Sequence, residues 1–158
     1  MSNSTHNALN TIHDYNIDID NREIYLHSYI SGDSDESGVD YRSAILFEKN
    51  LRYLNSISLE PILVHMHLPG GDWQDCLGIY DSIRASKSKI IVVATAKVES
   101  SSSVLLQAAD LRILTPNTNF LIHYGSLSID NEHKAALSTV QWSEKESEKM
   151  IDGGLEID

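Results

Sequence analysis

The sequence predicts an α/β domain built on a mostly parallel sheet. Three observations predict it: short continuous apolar runs of strand type, apolar residues at helical spacing between them, and alternation of the two along most of the chain. The order read is strand, helix, strand, helix, strand, helix, strand, strand, helix, with no internal repeat.

Residues 1–18 are polar, lack periodicity and read as a mobile N-terminal segment. "NREIYLHSYI" at 21–30 has β-type content and reads as the first strand. "SGDSDESG" at 31–38, with Asp33, Asp35 and Glu36, reads as a solvated acidic loop. Asp40 is placed to cap a helix in which Ala44, Phe47, Leu51 and Leu54 recur at spacings of 3, 4 and 3. "PILVHMH" at 61–67 is a short apolar run and reads as a buried strand. "LPGG" breaks it, and Asp72 follows as an N-cap, with Asp75 where a capping-box acid would stand. Trp73, Cys76, Leu77, Tyr80 and Ile83 mark one face of the next helix. "IIVVAT" at 90–95 is β-branched and continuous, the mark of a buried strand. Residues 100–109 read as a helix, and "LRIL" and "NFLIHY" as short strands around the turn "TPNT". A last helix is expected over about 131–150.

Composition narrows the function. A chain of 158 residues can bury one real core. Its net charge of −11 argues against a nucleic-acid surface, which needs clustered Lys and Arg, and against an anionic membrane. A single cysteine, Cys76, forms no intrachain disulfide and reads as a small core residue. No signal-peptide pattern is visible and no apolar run approaches the ~18 residues of a membrane span, so a cytoplasmic protein is expected.

In folds of this type, working groups gather where loops leave the carboxyl ends of the strands. Three such exits stand out: Gly70-Gly71, Glu99-Ser100-Ser101 and His123. Acyl transfer needs a nucleophile, a base and donors for the oxygen that turns negative. Ser100 at a strand-to-helix junction suits the first role, His123 at a strand end the second. The N–H groups of Gly71 and Ser101 suit the third. Each of these residues also has a plain structural reading: a cap, a strand-end histidine, a turn. Lys97, three residues before Ser100, is an alternative base and ranks below His123. His65 and His67 point to one strand face, but two ligands do not make a metal site, and neither metal nor cofactor is expected. Trp73 and Tyr80 read as core of their helix.

"HLPGGDWQDCLGIYDSI" followed by "KVESSSSVLLQAADLRILTPNTNFLIHYGS" resembles the Clp protease proteolytic subunit, a ClpP-like serine peptidase, in the order and nearly the spacing of PGG, IYD, serine, TPN and IH. The likeness runs over 62–126, with a compatible strand and helix over 24–54. It implies a ClpP/crotonase-like fold, a single domain over 19–158 with a C-terminal handle helix near 131–150, and no counterpart of the family's final helix. It implies Ser100 as nucleophile, His123 as base, and Gly71 and Ser101 as the oxyanion hole, with Ser102 and Ser103 at positions favouring small side chains. The sequence departs from the family at Glu99, where Ala is common; a carboxylate there either turns outward or perturbs the serine–histidine pair. It also departs at His67-Leu68, where Asn-Ser is frequent. The family's third triad member is an aspartate beyond the handle helix. The late aspartates Asp152 and Asp158 lie in a different context, so that member is unassigned. By resemblance the substrates are unfolded polypeptides, the assembly is a homo-oligomeric ring of two stacked heptamers, and the partner is a ring ATPase unfoldase, with neither nucleic acid nor membrane involved. Two alternatives stay open: a catalytically impaired subunit with a structural role in a mixed ring, and a crotonase-type acyl-CoA enzyme.

Overall fold

The computed structural model describes residues 3–30, 36–123, 140–145 and 148. Its contacts divide the chain into two compact units, Met1–Leu121 and Ile122–Asp158, where the sequence reading places one domain over 19–158. In the first unit the elements are α1 (Asn3–Tyr15), β1 (Ile17–Asp18), β2 (Glu23–His27), α2 (Tyr41–Ile57), β3 (Ile62–Leu68), α3 (Trp73–Arg84), β4 (Ile90–Glu99), α4 (Ser101–Leu106), β5 (Leu111–Leu114) and β6 (Asn119–Leu121). The helix expected near 131–150 lies mostly outside the described residues; 140–145 and 148 are helical.

The sheet runs β1-β2-β3-β4-β5, with β6 also on β4. Every pairing is parallel except β1 with β2, as the alternation of strands and helices requires. β3 occupies one edge of β4 from Ile90 to Val98, so β5 and β6 share the other edge, β5 on Ile91–Ala94 by register and β6 on Lys97–Glu99. Between them the turn at 115–118 is pinned by the Ala94 carbonyl, which accepts from Thr115 N–H at 3.0 Å and Thr118 Oγ1 at 2.9 Å. Opposite that turn β4 bulges. From the Met66–Ala94 pair to the Leu68–Val98 pair, β3 advances two residues and β4 four, and Ala96 takes a positive φ of 58°. β4 therefore reaches Glu99, beyond the 90–95 read from its apolar run, because the bulge carries it to a second partner.

One sheet face is the core. Ile24, Leu26, Ile62, Val64, Met66, Leu68, Ile90, Val92 and Ala94 pack with Phe47, Leu51 and Leu54 of α2, Cys76, Ile79 and Ile83 of α3, and Leu105 and Leu106 of α4. β3 is thus not buried on both faces. Leu63, His65 and His67 are half-buried on the other one, beside Glu23, Tyr25 and His27 of β2. His65 bonds Glu23 at 3.0 Å and stacks on Tyr25, which donates to the same carboxylate. Polar partners at every second position let this face stand half open. On α3 the buried stripe is Cys76, Ile79 and Ile83, with Tyr80 partly buried; Ile79 replaces the predicted Trp73 and Leu77.

Both predicted caps form. Asp40 accepts from Arg42 and Ser43 N–H in a capping box completed by the Ser43 hydroxyl, and Asp72 accepts from Asp75 N–H. Burial pushes the Asp40 carboxyl up, but its bonds to Arg42 and to the two backbone N–H groups outweigh this and hold it below the usual range.

Within the stretch read as lacking periodicity, 1–18, Asn3–Tyr15 is helix and Ile17–Asp18 strand. Tyr15, at the end of α1, gives its carbonyl to Asn50 Nδ2 on α2 at 2.6 Å, and Ile17 enters the core. Such docking contacts supply the stability that a helix of 13 residues lacks on its own in water.

Arg22 organises the opposite end of the sheet. Its guanidinium donates to the carbonyls of Leu54 (3.0 Å), Ser58 (3.1 Å) and Glu60 (2.8 Å) and to Ser88 Oγ (3.2 Å). A cation placed on the last carbonyls of α2 also complements the helix dipole. Replacing Arg22 by Ala takes a charged donor from each of these carbonyls, leaving Leu54 O to the Ser58 N–H and Ser58 O to the longer Ser88 Oγ contact. It should cost about 2 kcal/mol in urea unfolding, and Lys, which lacks the planar fork, should recover only part of that.

Candidate active site

The site grows from the junction of β4 and α4. Ser100 has φ 56° and ψ −130°, a conformation that costs a non-glycine residue about 1–3 kcal/mol and persists only where its surroundings impose it. They do so here on both sides. The Ser100 N–H donates to Leu121 O of β6 at 2.9 Å, and the Ser100 carbonyl accepts from Ser103 N–H (3.0 Å) and Ser103 Oγ (2.6 Å). Ser100 precedes α4 at the N-cap position, yet its hydroxyl makes no cap hydrogen bond. The plain reading of Ser100 as a cap therefore fails.

The neighbouring hydroxyls are engaged. Ser101 Oγ donates to Gly71 O at 3.3 Å, Ser102 Oγ bridges Leu68 and Glu99, and Ser103 Oγ bends back to Ser100. Below them Cys76 Sγ–H donates to Ser101 O at 3.0 Å. Burial pushes this thiol up to about 12, so it stays protonated and serves as core.

The glycine pair is pressed against this turn. Gly70 has φ +99°, and a Cβ on it would lie 2.7 Å from Ser100 Cβ and 2.8 Å from Glu99 O. Gly71 has φ +138°, with Val39 so close that a Cβ would overlap its backbone. Val39 pairs with Gly71 in a parallel bridge: Val39 N–H donates to Gly70 O at 2.6 Å and Asp72 N–H to Val39 O at 2.9 Å. Such a bridge uses the peptide groups flanking Gly71 and leaves its own N–H out. Among the described residues, neither that N–H nor the Ser101 N–H, at the open first turn of α4, takes a backbone partner.

The structure thus brings Gly70, Gly71, Ser100 and Ser101 together. β6 ends at Leu121, not at the expected 124; His123 is exposed and belongs to the second unit. Lys97 forms an ion pair with Glu36 (2.7 Å), which raises its pKa and keeps it a cation rather than a base. His67 approaches the same carboxylate at 3.5 Å and His65 is held by Glu23, and no metal-binding group of three ligands exists among the described residues. The Glu99 carboxylate accepts from Asn119 Nδ2 of β6 at 2.5 Å in an exposed contact, the outward of the two placements the sequence left open. What sequence reasoning missed is Val39, with Gly38 (φ +73°) before it, whose added Cβ would strike Gly70 O. The one available signal was a glycine closing the acidic loop.

Comparison with known proteins gives the family and the fold. The family described as Clp protease matches residues 17–151. The chain is 36% identical over 91 residues to the ATP-dependent Clp protease proteolytic subunit 2 of Pseudomonas aeruginosa, covering 56% of this chain and 45% of that protein. It is 31% identical over 105 residues to the subunit 2 of Treponema denticola, covering 65% and 50%. The match therefore spans about half the length of these curated relatives. The solved structure of the ClpP1 N165D mutant from Listeria monocytogenes superposes with a TM-score of 0.70 at 24% identity, over 86% of this chain and 73% of that one. The chain belongs to the Clp protease family, and its fold is that of ClpP.

Two glycines on this chain should respond oppositely to alanine. Gly70→Ala, with positive φ and backbone within 3 Å, should lose about 1–3 kcal/mol in urea unfolding. Gly78→Ala, on α3 with nothing within 4 Å, should gain about 0.5–1 kcal/mol. The reverse order would contradict the packing described. Cys76 should resist iodoacetamide at pH 8 in the folded chain and react on unfolding, read by intact mass. Since the folded thiol holds its proton to about 12 and an ordinary thiol only to 9.0, the unfolded chain ionises first, and this contribution to stability should fall as pH rises between those values.

Proposed function

We propose that this chain is a serine-type endopeptidase subunit that cleaves unfolded polypeptides. Ser100 attacks the peptide carbonyl, His123 takes the proton and returns it to the leaving amine, and the N–H groups of Gly71 and Ser101 receive the oxyanion. The observation that carries the reading is the backbone of Ser100. A serine whose hydroxyl makes no cap hydrogen bond is held at positive φ on a glycine whose missing side chain leaves room for it. Strain of this kind fixes the direction of a nucleophile before substrate arrives. Each well-placed oxyanion donor lowers such a barrier by about 3 kcal/mol. The exposed backbone of Gly71 at the mouth of the turn fits that role. Family membership supports a homo-oligomeric cytoplasmic ring of two stacked heptamers that receives chains from a ring ATPase. A net charge of −11 fits partners other than nucleic acid.

A fluorophosphonate probe on the assembled protein tests this. Covalent labelling should map to Ser100, vanish in Ser100→Ala and in His123→Ala, and survive in Ser101→Ala, whose backbone N–H is kept. A ring-sized particle that takes no label would sink the peptidase reading in favour of an impaired subunit, and turnover of acyl-CoA without peptide cleavage would favour the crotonase-type reading.

A further inference from the structure

The four serines are not equivalent, and one does a job that its neighbours do not. Ser102 is 0% exposed. Its Oγ lies 2.8 Å from Leu68 O, 2.8 Å from Glu99 N and 2.7 Å from Glu99 O. A hydroxyl has one proton and two lone pairs, so it accepts from Glu99 N–H while donating to one of the two carbonyls. Leu68 is the last residue of β3 and Glu99 the last of β4. Ser102 therefore reaches back from the first turn of α4 and joins the ends of both strands. Leu68 leads by two residues into the Gly70-Gly71 turn; Glu99 immediately precedes Ser100. No other hydroxyl of the run spans both. Among the described residues Ser101 Oγ has a single contact, at 3.3 Å, and Ser103 Oγ adds to a carbonyl that Ser103 N–H already satisfies.

We propose that Ser102 is a positioning residue: its buried hydroxyl fixes the backbone of Ser100 against the glycine turn, and so sets the distance between the nucleophile and the Gly71 N–H. The catalytic part of this rests on Ser100 being the nucleophile, as proposed above; the structural part does not. Without the hydroxyl, Leu68 O and Glu99 N–H lose a partner in a place too enclosed for bulk water, and the turn gains a reason to relax.

The experiment compares Ser102→Ala with Ser86→Ala in the full chain. Ser86 is a hydrogen-bonded hydroxyl at the far end of α3, donating to Ser88 O at 2.9 Å. The first readout is amide exchange at Ser100, whose N–H binds Leu121 O and is untouched by either substitution. Exchange there should quicken about 10-fold or more in Ser102→Ala, with Val64 in mid-β3 unchanged, and should stay at wild-type rate in Ser86→Ala. An unchanged Ser100 amide in folded Ser102→Ala overturns the proposal, whether or not the chain is a hydrolase. The second readout is the fluorophosphonate labelling rate per folded subunit. It should fall about 10- to 100-fold with the half-saturating probe concentration unchanged. A lower folded fraction with an intact rate per folded subunit also overturns the proposal. A wild type that takes no label contradicts the peptidase reading instead, and the exchange measurement still decides the role of Ser102. If Ser102→Ala does not fold, Ser102→Cys keeps a weaker donor in nearly the same volume. It should give an intermediate rise in Ser100 exchange, and a wild-type rate there overturns the proposal.

Discussion

The backbone of one residue constrains much of this molecule. Ser100 sits at positive φ where β4 must stop and α4 begin, and an unsupported serine would leave that conformation for one costing about 1–3 kcal/mol less. Its support comes from four directions: β6 through Leu121, α4 through Ser103, the ends of β3 and β4 through Ser102, and α3 through Cys76 at the next residue. The bulge in β4 has a purpose in this light. It extends the strand to Glu99 and opens a second stretch of edge, which β6 fills to hold the Ser100 N–H.

A second concentration of contacts lies in the short stretch 36–40. Glu36 takes the Lys97 ammonium, which lowers its pKa, and stands beside His67. Gly38 N–H is received by Ser28 Oγ at 3.1 Å, Val39 bridges to Gly71, and Asp40 caps α2. Each contact alone is small, since the ion pair is part-exposed and screened by solvent. Together they draw one segment across the carboxyl ends of β2, β3 and β4 and make it the far wall of the glycine turn. The close approach needs Gly38, Gly70 and Gly71 at once, because a Cβ on any of them would meet backbone or Ser100 within 3 Å.

The electrostatics of the outer sheet face follow from pairing rather than from net charge. His65 is matched by Glu23, His67 and Lys97 by Glu36, and Glu99 by Asn119. Pairing Lys97 removes it as a base, and pairing Glu99 places its carboxylate along β6. Residues that sequence alone presents as chemical candidates are thus assigned to holding strands together, while among the described residues the Ser100 hydroxyl makes no cap bond and the Gly71 and Ser101 N–H groups take no backbone partner.

Much of the fold was legible in the sequence. Periodicity marked α2 and α3, β-branched runs marked β3 and β4, and Asp40 and Asp72 announced their helices, because caps and side-chain spacing are local properties of a chain. The glycine pair and the serine run marked the two sides of the site for the same reason. The rest depended on contacts between distant residues. α1 is held through Asn50, the length of β4 is set by β6, half of one sheet face stays open through His65, Glu23 and Tyr25, and Val39 enters the site from an unremarkable loop. Which of four identical hydroxyls joins the strand ends and which makes no cap bond could not be read from their order. A hydroxyl's partner is fixed by where other strands end, and only the folded chain brings Leu68, Gly71 and Leu121 to that turn.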